Sequence, residues 1–109
     1  MFDDCYREFE VFLDIAQENK IFVKFFLNPN GVDLEDFVII YFTKVGEEFM
    51  EVVKYDFSQK ESLHVHYFYP KNPRKVFLEL APALVTIVVL YDELVSSWHK
   101  HLLRFNDKD

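Results

Sequence analysis

Residues 55–69 carry the side chains whose types and spacing best suit chemistry. One residue separates His64 from His66, and Asp56 precedes them across a short polar connection. Successive side chains of a β-strand point to opposite faces, so the two imidazoles would share one face. If hairpin pairing places Asp56 opposite His64, the carboxylate could orient an imidazole as a base or complete the ligand set of a metal. Asp56, His64 and His66 are therefore the candidate catalytic residues.

Other interpretations of these three residues stay open. A register slip of one residue would place Tyr55 opposite His64 and break the cluster. Two histidines are fewer than the three protein ligands usual at a catalytic zinc, and the single cysteine, Cys5, excludes a Cys-rich structural zinc site. Metal binding, metal-free acid–base chemistry and a solvated or hydrogen-bonded strand face are all possible, and the last is favoured. No metal or cofactor is expected.

Further catalytic and ligand-binding motifs are missing from the sequence. His99 and His101 lie about 200° apart around a helix, so they cannot bind one ion, and their place near a helix C-terminus gives them a structural role. The only glycines, Gly31 and Gly46, do not form a glycine-rich phosphate loop, and no serine lies in a nucleophile elbow. The basic run at residues 71–75 is interpreted as a solvated turn.

Composition limits the class of protein. The chain has 109 residues, which is enough for one domain, and half of them are hydrophobic, as in a folded protein. A net charge of −7 opposes binding to nucleic acid. The sequence shows no signal peptide and no apolar run that would span a bilayer comfortably, and one cysteine cannot form an internal disulfide. We therefore expect a soluble cytoplasmic protein with no membrane partner.

Hydrophobic periodicity predicts the elements that would position these residues. Apolar side chains in residues 2–16 recur at intervals of three and four, which predicts an amphipathic helix. Four segments rich in branched and aromatic residues predict strands at 21–27, 37–44, 49–57 and 63–69. Their short connections favour an antiparallel meander.

Residues 82–105 are predicted to form one long helix. Apolar residues recur in steps of four and three at Leu84, Val88, Tyr91, Val95, Trp98, Leu102 and Phe105. An alternative, favoured by the branched side chains, is a fifth strand at 84–90 with the helix starting near Asp92. The predicted fold is a two-layer α+β domain in which both helices cover one face of a four-stranded antiparallel sheet.

The predicted C-terminal helix carries more apolar surface than one core requires. Val85 and Val89 project away from the apolar seam, and Leu90 lies to one side. Exposed apolar patches mark protein partners, so these three residues are the candidate interface of a homodimer. A helix sunk between the sheet and the first helix would also explain them.

Several short motifs lie in one predicted hairpin and in the last predicted helix: Val53-Lys54-Tyr55-Asp56, then His64-x-His66 with an aromatic after it, then Ala83-Leu84, Trp98 and Arg104-Phe105. In these motifs residues 37–105 resemble small prokaryotic proteins related to the TumE-like toxin components of toxin–antitoxin pairs. The resemblance implies a toxin-like fold with a protein partner such as an antitoxin, and action on RNA.

Two functions follow from the sequence. The first is an interaction domain that forms a homodimer through the C-terminal helix, and the acidic balance favours it because RNA-directed toxins need positive charge. The alternative is a small nuclease-like hydrolase that uses the His-x-His pair with Asp56.

Overall fold

The computed structural model describes residues 6–29 and 34–107. Within these residues six strands pair in chain order into one antiparallel sheet, and one helix packs on one face of it. The elements are β1 (Tyr6–Phe12), β2 (Asn19–Leu27), β3 (Leu34–Val45), β4 (Glu48–Ser58), β5 (Glu61–Tyr67), β6 (Arg74–Phe77) and α1 (Leu84–Asn106). The predicted α+β class with an antiparallel sheet is confirmed, but the sheet has six strands instead of four.

The core lies between the sheet and α1. Alternate side chains of the central strands point toward the helix, as the two-residue period of a strand requires. The buried residues on the sheet side include Ile21, Val23, Phe37, Ile39, Tyr41, Val53, Tyr55, Leu63 and Val65. The helix contributes Ile87, Leu90, Leu94 and Trp98, and the Trp98 indole meets the Tyr41 ring edge to face at 6.1 Å.

The prediction of a helix over residues 2–16 is wrong for the part that the structure describes, and residues 2–5 lie outside that part. Tyr6–Phe12 is a strand that pairs with β2 along its whole length. The alternation of Phe9 and Val11 with glutamates has the two-residue period of a strand, and it coexists with the three-residue spacing that suggested a helix. Long-range pairing with β2 decides between these two patterns.

A tight turn between β1 and β2 stabilises this hairpin. The Asp14 carboxylate accepts hydrogen bonds from the backbone N–H groups of Glu18 and Asn19, each at 3.0 Å. Gln17 adopts a positive φ of 57°, and the N–H of Leu13 donates to the carbonyl of Asn19. These local hydrogen bonds reverse the direction of the chain after β1, which a continuous helix over this segment would not allow.

Strand β6 was not predicted. It has four residues, all exposed, and it follows Pro70 and Pro73 in a segment with no apolar alternation. Its strand conformation comes from pairing with β5, in which Val65 lies opposite Val76. Because the strand conformation of residues 74–77 depends on the partner strand and not on their own pattern, the sequence carried no signal of it.

The long C-terminal helix is confirmed, and the alternative strand at 84–90 is wrong. The phase of its buried stripe differs from the prediction, because Leu84, Val88 and Val95 are exposed whereas Leu90 and Leu94 lie in the core. The first half of the helix is apolar nearly all round, so periodicity could not fix which side faces the sheet. No helix within residues 6–29 and 34–107 combines the length and the apolar character that crossing a membrane requires.

Candidate functional site

Asp56, His64 and His66 lie together on the face of the sheet that α1 leaves uncovered. Strands β4 and β5 pair so that Asp56 is directly opposite His64 and Lys54 is opposite His66. The β4–β5 hairpin therefore has the register that brings Asp56 and His64 together. Their neighbours Tyr55 and Val65 point the other way, into the core.

The His64 side chain is buried, with 1% of its surface exposed. Its Nδ1 lies 2.8 Å from the carbonyl oxygen of Ser62, which can only accept a hydrogen bond, so Nδ1 carries a hydrogen. In the neutral ring Nε2 then has a lone pair, and it has no hydrogen-bond partner among the described residues. The nearest carboxylate oxygens, of Glu61 and Asp56, lie 3.6 and 4.0 Å away, beyond hydrogen-bonding distance.

Aromatic rings enclose the two imidazoles. His66 meets His64 edge to face at 4.8 Å, and Phe77 of β6 lies 5.6 Å from His64 on its other side. Phe68 stacks on His66 at 5.7 Å. Burial lowers the pKa of His66, and the nearby charge of His64 lowers it further. His66 is therefore neutral at neutral pH and is the more accessible ring of the pair.

Asp56 is half-buried and borders a depression of about 370 Å³ on the uncovered face. Lys54 on the same strand contributes to this depression, and its Nζ lies 4.0 Å from the Asp56 carboxylate. Asp56 makes no hydrogen bond to either histidine within the described part of the chain. No three histidine, cysteine, aspartate or glutamate side chains of the described residues are placed to bind one metal ion.

The arrangement limits what these residues can do. The burial of His64 prevents it from contacting a substrate, and no carboxylate oxygen of the described residues lies within 4.0 Å of a His66 ring nitrogen. Sequence reasoning missed Glu61, which approaches His64 more closely than Asp56 does. An irregularity of the β4–β5 register between Asp56 and Ser58 lies beside this position, and strand alternation could not foresee it.

A second histidine cluster lies on the other face of the sheet, under the C-terminal half of α1. The Tyr69 hydroxyl and His101 Nδ1 form a hydrogen bond, and the rings of Tyr67, Tyr69 and His101 lie 5.3 to 6.2 Å apart. Burial raises the pKa of Tyr69 to about 12 and lowers the pKa of His101. The sequence assigned His101 a role at the helix C-terminus and gave no indication of this contact.

Comparison of the chain with protein-family models, curated protein sequences and solved structures finds no match.

Proposed function

We propose that this protein is an interaction domain that forms a homodimer through the first half of α1. The surface concerned, here called the valine patch, consists of Leu84, Val85, Val88 and Val89. In the described structure 68% of Val85 and 56% of both Val88 and Val89 are exposed. This exposure is the observation that carries the proposal.

The residue types in the valine patch support a covered surface. β-Branched residues lose side-chain freedom in a helix, so valine at a water-facing helical position gives neither helix propensity nor solubility. Three exposed valines within two turns therefore point to a partner that removes them from water. Leu90, which the sequence placed beside them in the predicted interface, is only 6% exposed and belongs to the core.

The charge distribution favours a second copy as the partner. No charged residue occurs between Glu79 and Asp92, although the chain carries a net charge of −7. An uncharged apolar surface offers nothing to attract an oppositely charged partner, whereas it is complementary to itself across a two-fold axis.

The test is the association state of Val89→Asp, measured by sedimentation equilibrium or by light scattering after size exclusion. A two-fold dimer would bury two aspartates without partners, and we expect a loss of about 3 kcal/mol or more, roughly a hundredfold in the dimer Kd. Val89→Thr keeps the shape of the side chain and should weaken the dimer less.

Ser96→Asp is the matched control, because Ser96 is exposed on the same side of α1 two turns beyond Val89 and the change adds the same charge. Helix content measured by circular dichroism would show that both variants fold. A wild-type protein that stays monomeric at its highest soluble concentration, or equal dissociation by Ser96→Asp, would refute the proposal.

The hydrolase alternative stays a prediction with less support. It needs an imidazole that reaches a substrate and a carboxylate that orients it. His64 is buried, and the Asp56 carboxylate lies 4.0 Å from its Nε2. The relationship to TumE-like toxins, an antitoxin partner and the absence of nucleic-acid binding also stay predictions.

A further inference from the structure

A cavity of about 220 Å³ opens beside the Tyr69–His101 pair, between the sheet and the last turns of α1. Its lining includes Tyr67, Tyr69, Arg74, Lys100, His101 and Arg104. The three cations come from two distant parts of the chain, since Arg74 begins β6 whereas Lys100 and Arg104 belong to α1. We call these three cations and the two tyrosines with His101 the basic corner.

No carboxylate oxygen of the described residues lies within 4.0 Å of Arg74, Lys100 or Arg104. Several other exposed lysines share this property, and the basic corner differs from them in that its three cations surround one cavity. The chain has nineteen acidic side chains against twelve lysines and arginines. A cavity lined by three cations without ion pairs to the described residues is therefore not what the overall composition predicts. Glu93 is the one acidic residue of the lining.

The helix C-terminus explains only part of this arrangement. Arg104 lies in the last turn of α1 and is favourably placed against the negative end of the helix dipole, whereas Lys100 lies before the last turn. Arg74 is not on the helix, yet its charge reaches Tyr69 together with that of Arg104, and both lower the pKa of Tyr69 against the larger effect of burial. The positive potential inside the cavity therefore has two separate sources.

Stacking on the tyrosine rings positions both guanidinium groups. The Arg74 guanidinium carbon lies 4.9 Å from the centre of the Tyr67 ring, and that of Arg104 lies 6.0 Å from the centre of the Tyr69 ring. A guanidinium group stacked on a ring still offers the N–H groups at its edge to an oxyanion. In the tautomer whose Nδ1 accepts a hydrogen bond from the Tyr69 hydroxyl, a neutral His101 carries its hydrogen on Nε2 and adds one more donor.

We propose that the basic corner binds a phosphate group. Planar arginine donors match the paired oxygens of a phosphate monoester, and an ammonium group adds a point charge. The cavity volume of about 220 Å³ lies below the roughly 300–1,000 Å³ of pockets that take drug-sized ligands, which suits a phosphate group better than a whole nucleotide. The group is either free phosphate or the phosphate of a larger molecule whose remainder lies outside the cavity.

The test measures the affinity of the full chain for inorganic phosphate by isothermal titration calorimetry, with sodium chloride at equal ionic strength as the reference. We expect binding of phosphate but not of chloride, and a loss on the order of tenfold for Arg74→Gln and for Arg104→Gln. Both side chains are exposed, so the variants should fold, which circular dichroism checks.

Lys60→Gln is the charge-matched control, because it removes the same charge from an exposed position at the opposite end of β5. A phosphate effect no larger than that of chloride, or an equal loss in Lys60→Gln, overturns the proposal. Titration of phosphoserine and of a nucleoside monophosphate distinguishes the two sources. Tighter binding than that of inorganic phosphate identifies a larger ligand, and equal binding identifies the phosphate group alone.

A local readout separates binding at the basic corner from binding elsewhere. A bound dianion stabilises the imidazolium form, so phosphate should raise the pKa of His101, which burial lowers in the free protein. The groups whose charges act on His101 are Glu93, Lys100 and Arg104. The shift, followed by nuclear magnetic resonance of the imidazole, should be lost in Arg104→Gln and kept in Lys60→Gln. An unchanged His101 titration at saturating phosphate contradicts the assignment.

Discussion

The two histidine clusters lie on opposite faces of the same sheet and differ in the charge around them. His64 and His66 have the carboxylates of Asp56 and Glu61 nearby, on the face without a helix. His101 lies between the sheet and α1, in a cavity dominated by cations. The alternation of side chains along β5 and the residues after it places His64 and His66 on the uncovered face, whereas Tyr67 and Tyr69 point to the other face, where α1 adds His101.

The clusters also differ in how well their polar atoms are satisfied. The Tyr69 hydroxyl and His101 Nδ1 satisfy each other, whereas His64 Nε2 is buried among the described residues without a partner. Leaving a buried polar atom unpaired costs about 1–3 kcal/mol, so the two clusters should respond oppositely to the loss of their histidine. The His-x-His spacing, which the sequence analysis selected as the candidate catalytic pair, thus belongs to the cluster with the unpaired buried nitrogen.

The largest expected effect comes from Tyr69→Ala. Tyr69 is 3% exposed, packs against His101 and Tyr67, and belongs to the core. Truncating a buried aromatic side chain leaves a cavity, and we expect a loss of about 3–4 kcal/mol in the free energy of unfolding, measured in urea. Tyr69→Phe removes only the hydroxyl and should cost about 1 kcal/mol.

Phe68→Ala is the control on the other face, because Phe68 stacks on His66 and is only half-buried. Its loss should be roughly 1 kcal/mol, as expected for partial burial. An equal loss in Phe68→Ala and Tyr69→Ala would remove the difference in packing between the two clusters.

Leucine substitutions at His64 and His101 should have opposite effects of intermediate size. His64→Leu loses the bond to the Ser62 carbonyl but removes the unpaired Nε2, so we expect stability to rise by about 1 kcal/mol or stay unchanged. His101→Leu leaves the Tyr69 hydroxyl without its partner and should cost about 2 kcal/mol. Urea unfolding at the same neutral pH compares the two variants. A larger loss in His64→Leu than in His101→Leu would show that Nε2 has a partner in solution.

Local patterns predicted the parts of the fold whose signals lie within one segment. The strand expected at 37–44 falls within β3, and the helix expected at 82–105 overlaps α1 almost completely. β1 was misassigned because the three-residue spacing of Tyr6, Phe9 and Phe12 suits a helix, whereas the alternation of Phe9 and Val11 with glutamates suits a strand, and pairing with another segment decides between them. The pairing of β1 with β2 forms only after the chain reverses its direction, so a pattern within residues 2–16 could not predict it.

The same limit applies to the candidate sites. Asp56 and His64 belong to one hairpin, so strand alternation and a guess at register were enough to bring them together. Tyr69 and His101 are thirty-two positions apart, and no pattern in either neighbourhood indicates that they meet. The sequence also could not predict that Arg74 and Arg104 lie near one cavity, because their positions depend on β6 and on how α1 crosses the sheet.

The pH dependence of stability is the smallest expected effect. Its measurement shows which of the two histidine clusters contributes more to that dependence. Burial is the main cause that lowers the pKa of both His66 and His101. In the unfolded chain these groups titrate near pH 6.5, so above about pH 6.5 both states are neutral and stability is at its full value. As the pH falls below about 6.5, the unfolded chain takes up protons before the folded one does, and stability falls.

Urea unfolding between about pH 5 and pH 7 measures this slope, because carboxylates titrate mostly below that range. His101→Gln should flatten the slope more than His66→Gln, since the His101 ring lies between the sheet and α1 and forms a hydrogen bond with the Tyr69 hydroxyl, whereas His66 lies on the uncovered face. The comparison uses slopes, so any loss of stability that does not vary with pH cancels. A wild-type protein that gains stability as the pH falls from about 7 to 5 would contradict the lowered pKa of both histidines.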